Sequence, residues 1–303
     1  MEWAAEHEIT SGAAAALVGE RFPELRGAPV EPLATGWDNT VFRVGGDWAF
    51  RFPRRKIAVP GVEREIATLP ALAPRLPLPI PVPRYVGGPG GGFPWPFFGA
   101  RLLPGRELAE VRPPDGRRAG IAAAVGGFLR ALHDPALVPA AGAGLPVDPL
   151  RRSDPAHRAA AAAERLARLA ALGLWEPDAA VRGFLDAARD AAPPAGEPVI
   201  VHGDLHVRHV LVGPAGEAAG VIDWGDVCRA DPAVDLSLAY AAFTGGDRAA
   251  FLDAYGPVPP DRERAARVLA LFIAAALAEY AASEGLAALL AESLAGIGRA
   301  LAH

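Results

Sequence analysis

Lysine is almost missing from this chain: among 303 residues Lys56 is the only one, so arginine supplies nearly all of the 30 basic side chains. Cysteine occurs once, at Cys228, which excludes an intrachain disulfide and a cysteine-rich metal cluster. Basic tracts are absent too, and 35 acidic against 30 basic groups leave a formal charge of −5. Nucleic acid is therefore not an expected partner. Residues Met1 to Thr10 hold three glutamates, no lysine or arginine and no apolar stretch, so they do not read as a secretory leader. The Ala-rich run Leu269 to Ala278 is too short to cross a bilayer and is closely followed by Glu279 and Glu284. No membrane association is expected, and a cytoplasmic monomer is the simplest account.

What is present is enough apolar material for a sizeable core. Hydrophobic residues make up 51% and charged residues 21%, which excludes disorder for the chain as a whole. The 34 glycines and 31 prolines fall in short turn-like runs without a period, which excludes a fibrous protein. The length fits one large domain or two closely packed lobes.

The chain changes character along its length. Residues 11–25 read as a helix broken by Pro23. Asn39 to Gly45 and Asp47 to Pro53 alternate as two strands joined by a Gly45-Gly46-Asp47 turn, with Trp48, Phe50 and Phe52 on one face and Ala49 and Arg51 on the other. A helix is expected from Pro60 over Gly61 to Leu69, then Pro-rich connectors, then strands at Arg84 to Gly87 and Phe97 to Leu103. After Pro104-Gly105 the chain is mostly helical. Helices are expected over 119–133, 156–174, 179–191, 232–243 and 261–295, with loops at 136–149 and 191–198. This predicts an α+β protein: a small antiparallel sheet lobe with one main helix, residues 1–103, followed by a larger helical lobe, residues 104–303.

The chemistry concentrates at 198–226. VIVHGDLHVRHVLV is followed nine residues later by VIDWGD, and Gly213-Pro214-Ala215-Gly216 makes a natural hairpin between the apolar runs. That hairpin would set His209 and Asp223 at one end of a small sheet, with Asp204 in the loop leading into it. Crowding carboxylates and imidazoles together without partners is costly, and a divalent cation removes the cost. Turn capping by Asp204 and Asp223 is the alternative reading of each aspartate taken singly.

HGDLHxxH followed by VIDWGD resembles the phosphotransfer core of the aminoglycoside and macrolide phosphotransferase family, a branch of the protein-kinase-like fold. The likeness runs from about Leu33 to the helices after Asp235. It implies a bilobal kinase-like fold with a nucleotide-binding N-terminal lobe and with the catalytic loop, metal ligands and acceptor site in the C-terminal lobe. By motif position it implies Asp204 as the group that orients or deprotonates the acceptor hydroxyl, and His209 and Asp223 as ligands of Mg2+. His209 stands where the family commonly has asparagine. The macrolide branch carries histidine there, so the resemblance is to macrolide 2'-phosphotransferases in particular.

The same resemblance implies that Arg51 contacts the nucleotide phosphates and that Glu65 is its helical partner. It further implies that Gly36 and Asn39 lie in a nucleotide-covering loop, Thr35 to Asn39, although no GxGxxG run is present. The segment from Phe98 to Leu103 would read the base, with Ala100 and Leu102 contributing backbone groups. The expected donor is GTP, with ATP as the alternative. The expected acceptor is a macrolide antibiotic, phosphorylated on its desosamine 2'-hydroxyl. The other expectations are an aminoglycoside or other small-molecule kinase, or a nucleotide-binding protein with impaired catalysis. His206 is expected to order the loop or contact phosphate, Arg208 to make an ion pair or a phosphate contact, Asp231 to cap a helix, Asp235 to brace the catalytic loop or a substrate amine, His133 to pack or brace a loop, and Cys228 to fill apolar space.

Overall fold

The computed structural model describes residues 5–36 and 38–302. Trp37 of the expected nucleotide-covering loop and the first four residues of the N-terminal stretch lie outside the described residues. The chain forms two compact units. One holds residues up to 74 with 79–103 and 224–227; the other holds 75–78, 104–223 and the remainder from Cys228.

The first unit is built on an antiparallel sheet. Helix α1 (Ser11–Arg21) starts where the Thr10 hydroxyl accepts the Ala13 N–H at 3.2 Å, satisfying one of its unpaired donors. Strands β1 (Val30–Thr35), β2 (Asn39–Val44) and β3 (Trp48–Pro53), helix α2 (Val59–Leu72), and strands β4 (Pro83–Gly87) and β5 (Phe97–Arg101) follow. The sheet order is β1-β2-β3-β5-β4. Phe42 opposes Phe50, and Val41 opposes Arg51. The alternation sorts the two faces. Phe42, Val44, Phe50, Phe52 and Phe97 join Ala14, Leu17 and Val18 of α1 in one core. Phe98 and Ala100 pack with Val62 and Ile66 of α2 on the other face, the face that carries Arg51. Gly99 is required in β5, because a Cβ there would meet the Phe50 ring at 2.5 Å.

Two elements here differ from the expectation. β1 was not foreseen: it carries Pro32, its side chains are mostly exposed, and it lies at the sheet edge, where a missing N–H is tolerated. Helix α2 runs three residues past Leu69, through Pro70. The proline sits in its last turn, so little regular helix remains to be disrupted.

The second unit is mainly helical. It comprises β6 (Arg106–Glu107), α3 (Leu108–Val111), α4 (Ala119–Leu132), α5 (Pro155–Ala171), α6 (Ala179–Ala188), β7 (Val199–Val201), β8 (Val210–Val212), β9 (Ala218–Val221), β10 (Cys228–Ala230), α7 (Ala233–Ala242), α8 (Gly245–Tyr255), α9 (Pro260–Glu284) and α10 (Ala287–Leu301). β6-β8-β9 and β7-β10 form two small antiparallel sheets. Cys228 is buried in β10 within an apolar cluster that includes Val201, Val234 and Leu269.

The expected single helix over 261–295 is two helices. Gly285, at φ +70°, ends α9 in the left-handed conformation that glycine adopts without cost. α8 was not foreseen, since its Gly245-Gly246 start masks the helical pattern. Residues 135–142, expected as loop, wind into short helical turns. α9 is also longer than its apolar run implied: at 25 residues it is long and apolar enough to cross a membrane, but here it is packed among α5, α7 and α10 as a core helix.

A buried ion network ties α4 to α10. Arg118 donates from Nη1 to Glu292 Oε1 at 2.6 Å and from Nη2 to Oε2 at 3.0 Å, and Arg299 Nη1 donates to the same Oε1 at 2.8 Å. Removing one partner leaves buried guanidinium charge uncompensated. Glu292→Ala is expected to lose about 3–5 kcal/mol, read as a lower urea midpoint at unchanged slope.

Candidate active site

The site grows out of β7. Its three apolar residues lead directly into His202-Gly203-Asp204, and the chain then turns through His206 and His209 into β8. Such a loop leaves backbone N–H groups without strand partners. Asp235, fully buried in the first turn of α7, takes two of them: Oδ2 accepts the His202 N–H at 2.7 Å and Oδ1 the Gly203 N–H at 3.0 Å. His133, at the end of α4, donates from Nε2 to Asp235 Oδ2 at 3.1 Å and accepts the Tyr255 hydroxyl at Nδ1 at 3.0 Å. Burial alone would raise the Asp235 carboxyl. The hydrogen bonds from His133 and from the His202 backbone outweigh it and hold the carboxyl below its usual range.

His202 is sealed inside the loop. It donates from Nε2 to Ile222 O at 2.9 Å and accepts the Asp204 N–H at Nδ1. Burial lowers its proton affinity below the usual 6.5 against the pull of Asp235, so it is held neutral.

Asp204, His206, His209 and Asp223 come together around this scaffold. One ligand atom from each of Asp204, His206 and His209 lies within 4.8 Å of the others. His209 Nδ1 donates to the Asp204 carbonyl at 2.8 Å, and its Nε2 lies 3.4 Å from Asp223 Oδ2, where a proton on that nitrogen is favoured. Asp223 follows β9 at φ +65°, a left-handed position that aspartate tolerates better than most residues. His206 has the opposite tautomer. Its Nδ1 accepts the Arg208 N–H, so in the neutral ring Nε2 carries the proton, 3.6 Å from Asp204 Oδ2. The two rings stack at 3.8 Å. Burial, then the neighbouring His209 and Arg208, push His206 well below 6.5. His209 is raised: burial opposes its charge, but the Asp223 and Asp204 carboxylates prevail.

This donor set fits a divalent cation. The carboxylates that draw a proton to His209 would draw a metal to the same nitrogen, and Asp223 adds a hard oxygen ligand. His206, with its proton on Nε2, is not poised as a ligand.

In the first unit, Arg51 Nη1 donates to Glu65 Oε1 at 3.0 Å. In the amide orientation that satisfies both groups, Asn39 accepts from Arg51 Nη2 at 2.9 Å and Nε at 3.1 Å. Glu65 Oε1 also accepts the Trp224 N–H at 3.1 Å. Gly61 of α2 lies so close to Gly225 that a Cβ would stand 2.9 Å from its carbonyl oxygen. Gly36 donates its N–H to Asn39 O, closing the loop between β1 and β2. Ala100 is buried in β5. Leu102 already donates its N–H to Asp47 O at 2.8 Å, so a contact from its backbone to a base would use the carbonyl.

Other expected residues have structural partners: Arg208 pairs with Glu107, and Asp231 accepts the Ala233 N–H and binds Arg262. One contact the sequence did not signal is Arg152, whose Nη2 donates to Asp204 Oδ1 at 3.2 Å.

A profile of the phosphotransferase enzyme family matches residues 29–268, and the chain belongs to that family. Solved structures with similar folds include the GDP and kanamycin complex of APH(2")-IIIa, 22% identical, TM-score 0.69, covering 95% of this chain and 97% of that one. Macrolide 2'-phosphotransferase MphH from Brachybacterium faecium is 25% identical, TM-score 0.59, covering 95% and 97%. Macrolide 2'-phosphotransferase type I is 23% identical, TM-score 0.59, covering 97% and 98%. Among curated proteins, the uncharacterized protein YcbJ of Bacillus subtilis is 38% identical over 56 residues, a match spanning 18% of this chain and 18% of YcbJ.

Two buried groups make folding sensitive to acid. His202 is neutral when folded, so below 6.5 the unfolded chain binds a proton that the folded one refuses, and stability falls as pH falls. Asp235 adds a second loss below 3.8 by the same linkage. Urea midpoints measured against pH should show both declines. Asp235→Asn should remove the lower one and cost about 1–3 kcal/mol at neutral pH, because one loop N–H then meets an amide NH2 instead of an oxygen.

Proposed function

We propose that the protein transfers the terminal phosphoryl group of GTP, or of ATP, to the 2'-hydroxyl of a macrolide's desosamine sugar, inactivating the antibiotic. The observation that carries the phosphotransfer reading is the constellation on one braced loop: Asp204 beside a His209–Asp223 pair whose Nε2 and Oδ2 lie 3.4 Å apart. In this reading Asp204 aligns the acceptor hydroxyl and takes its proton as the bond to phosphorus forms. Arg51, steadied by Glu65 and Asn39, binds the inner phosphates with a fork of fixed geometry. Gly36 and Asn39 belong to the loop over the phosphates, and Ala100 and Leu102 to the segment facing the base. The residues up to 103 form the nucleotide lobe, and those from 104 the catalytic and acceptor lobe. His209 Nε2 and Asp223 are the groups that would hold Mg2+. When bound, the ion neutralises phosphate charge.

The macrolide assignment rests on two features. Histidine occupies the position of His209, as in the macrolide branch. Several acidic side chains of the helical unit are engaged elsewhere: Asp235 by the loop after β7, Asp247 by the N–H groups of Gly116 and Arg118, Glu292 by Arg118 and Arg299, Glu279 by Arg165 and Arg168, and Asp231 by Arg262. A mostly apolar acceptor with one amine asks less of the cleft than an aminoglycoside does.

The decisive assay follows transfer from GTP and ATP in parallel, with erythromycin, kanamycin and no acceptor, by mass spectrometry of the products. Erythromycin gaining one HPO3 unit is expected; kanamycin gaining it instead would overturn the acceptor. Asp204→Asn should lower kcat by about 10²–10⁴-fold with nucleotide affinity largely kept. At His209, asparagine should retain substantial activity and Mn2+ binding by electron paramagnetic resonance, and alanine should lose both.

A further inference from the structure

We infer that Arg152 is a positioning residue of the phosphotransfer centre, fixing the Asp204 carboxylate through Oδ1 so that Oδ2 is the oxygen left for the acceptor hydroxyl. This rests on the reading of Asp204 given above. Arg152 is well covered, with 14% of its side chain exposed against 31% for Asp204. It reaches Asp204 from a segment 52 residues earlier in the chain.

That segment is built to aim it. Asp148 accepts the Arg152 N–H at Oδ1 (2.7 Å), and at Oδ2 the Ser153 N–H (2.9 Å) and hydroxyl (2.5 Å). Asp148 and Arg151 both adopt left-handed backbone conformations, at φ +31° and +50°. Two such non-glycine residues so close together are strained, and strain of this kind persists only where surrounding contacts impose it. A partly exposed ion pair returns too little stability to account for it. The far end of the turn is pinned as well: Asp154 caps α5 by accepting the His157 N–H and pairs with Arg151.

The segment is also stitched to the strand beside Asp204. Pro146 O accepts the Arg229 N–H and Asp148 donates its own N–H to Arg229 O, both at 2.8 Å. Arg229 lies in β10, which pairs with β7, with Arg229 opposite Ile200. β7 leads into Asp204. Arg152 and Asp204 are therefore carried on two hydrogen-bonded pieces of one frame, and their separation is set by backbone rather than by side-chain choice. A carboxylate with one oxygen held by a guanidinium N–H is restrained from swinging, which a reaction demanding near-attack geometry rewards.

The test compares Arg152→Met, Arg152→Lys, Asp204→Asn and the Met/Asn double variant in the full chain. Readouts are kcat and KM for nucleotide, with the antibiotic that accepts phosphate and with water as acceptor, together with Tm. Arg152→Met should lose about 10–100-fold in kcat with unchanged nucleotide KM and Tm. Lysine should restore part of the loss, since it returns the charge without the fork. In the Asp204→Asn background the methionine change should cost nothing further, because Arg152 acts through that carboxylate. Wild-type kcat in Arg152→Met, or a full additional loss in the double variant, overturns the assignment of Arg152 alone. A wild-type protein that turns over no nucleotide with any acceptor or with water overturns the phosphotransfer reading, and the role of Arg152 with it.

Discussion

The buried carboxylate of Asp235 is the constraint on which the catalytic loop hangs. A loop leaving β7 with His202-Gly203-Asp204 has to place its N–H groups somewhere, and water is excluded from them. Asp235 supplies two oxygens at 2.7 and 3.0 Å, and His133 supplies the compensating donor at 3.1 Å. A buried carboxylate without these partners would cost several kcal/mol, and each charge-assisted bond returns about 1.5–3. The first turn of α7 adds the positive end of a helix dipole. Two helices, α7 and the end of α4, and the loop leaving β7 thus meet at a single charge, and the position of Asp204 follows from that meeting.

The near-absence of lysine gives this architecture its character. Arginine's planar fork is used wherever two oxygens need to be held in fixed relation: Glu292 by Arg118, Asp231 by Arg262, Glu107 by Arg208. Arginines also end helices, as where Arg248 donates to Phe243 O and Arg299 O.

The readable parts of the sequence were those whose signal is local. The β2–β3 hairpin announces itself through alternation and its glycine turn, and the β8–β9 hairpin through the Gly213–Gly216 turn. The pairing of Arg51 with Glu65 was implied by the family resemblance and not by any local signal. β1 escaped because an edge strand with Pro32 and exposed side chains has no alternation to show. α8 escaped because its first turn is Gly245-Gly246 and its burial is set by packing on α4. Arg152 was illegible for a deeper reason. Its role depends on left-handed backbone at Asp148 and Arg151, and nothing in residue type alone marks that conformation when the residues are not glycine.

The two stacked histidines divide the chemistry between them. Rings 3.8 Å apart cannot both carry charge cheaply, so the proton goes to the one with carboxylates beside it, His209. Backbone contacts enforce the same choice. The Asp204 carbonyl fixes the proton on Nδ1 of His209, and the Arg208 N–H keeps it off Nδ1 of His206. One imidazole turns Nε2 toward Asp223 at 3.4 Å, the other turns its Nε2–H toward Asp204 Oδ2 at 3.6 Å, beyond hydrogen-bond reach. Arg152 holds the opposite oxygen, Oδ1. A loop of eight residues therefore sets His209 beside Asp223 and the Asp204 carboxylate beside Arg152, each with a partner of its own.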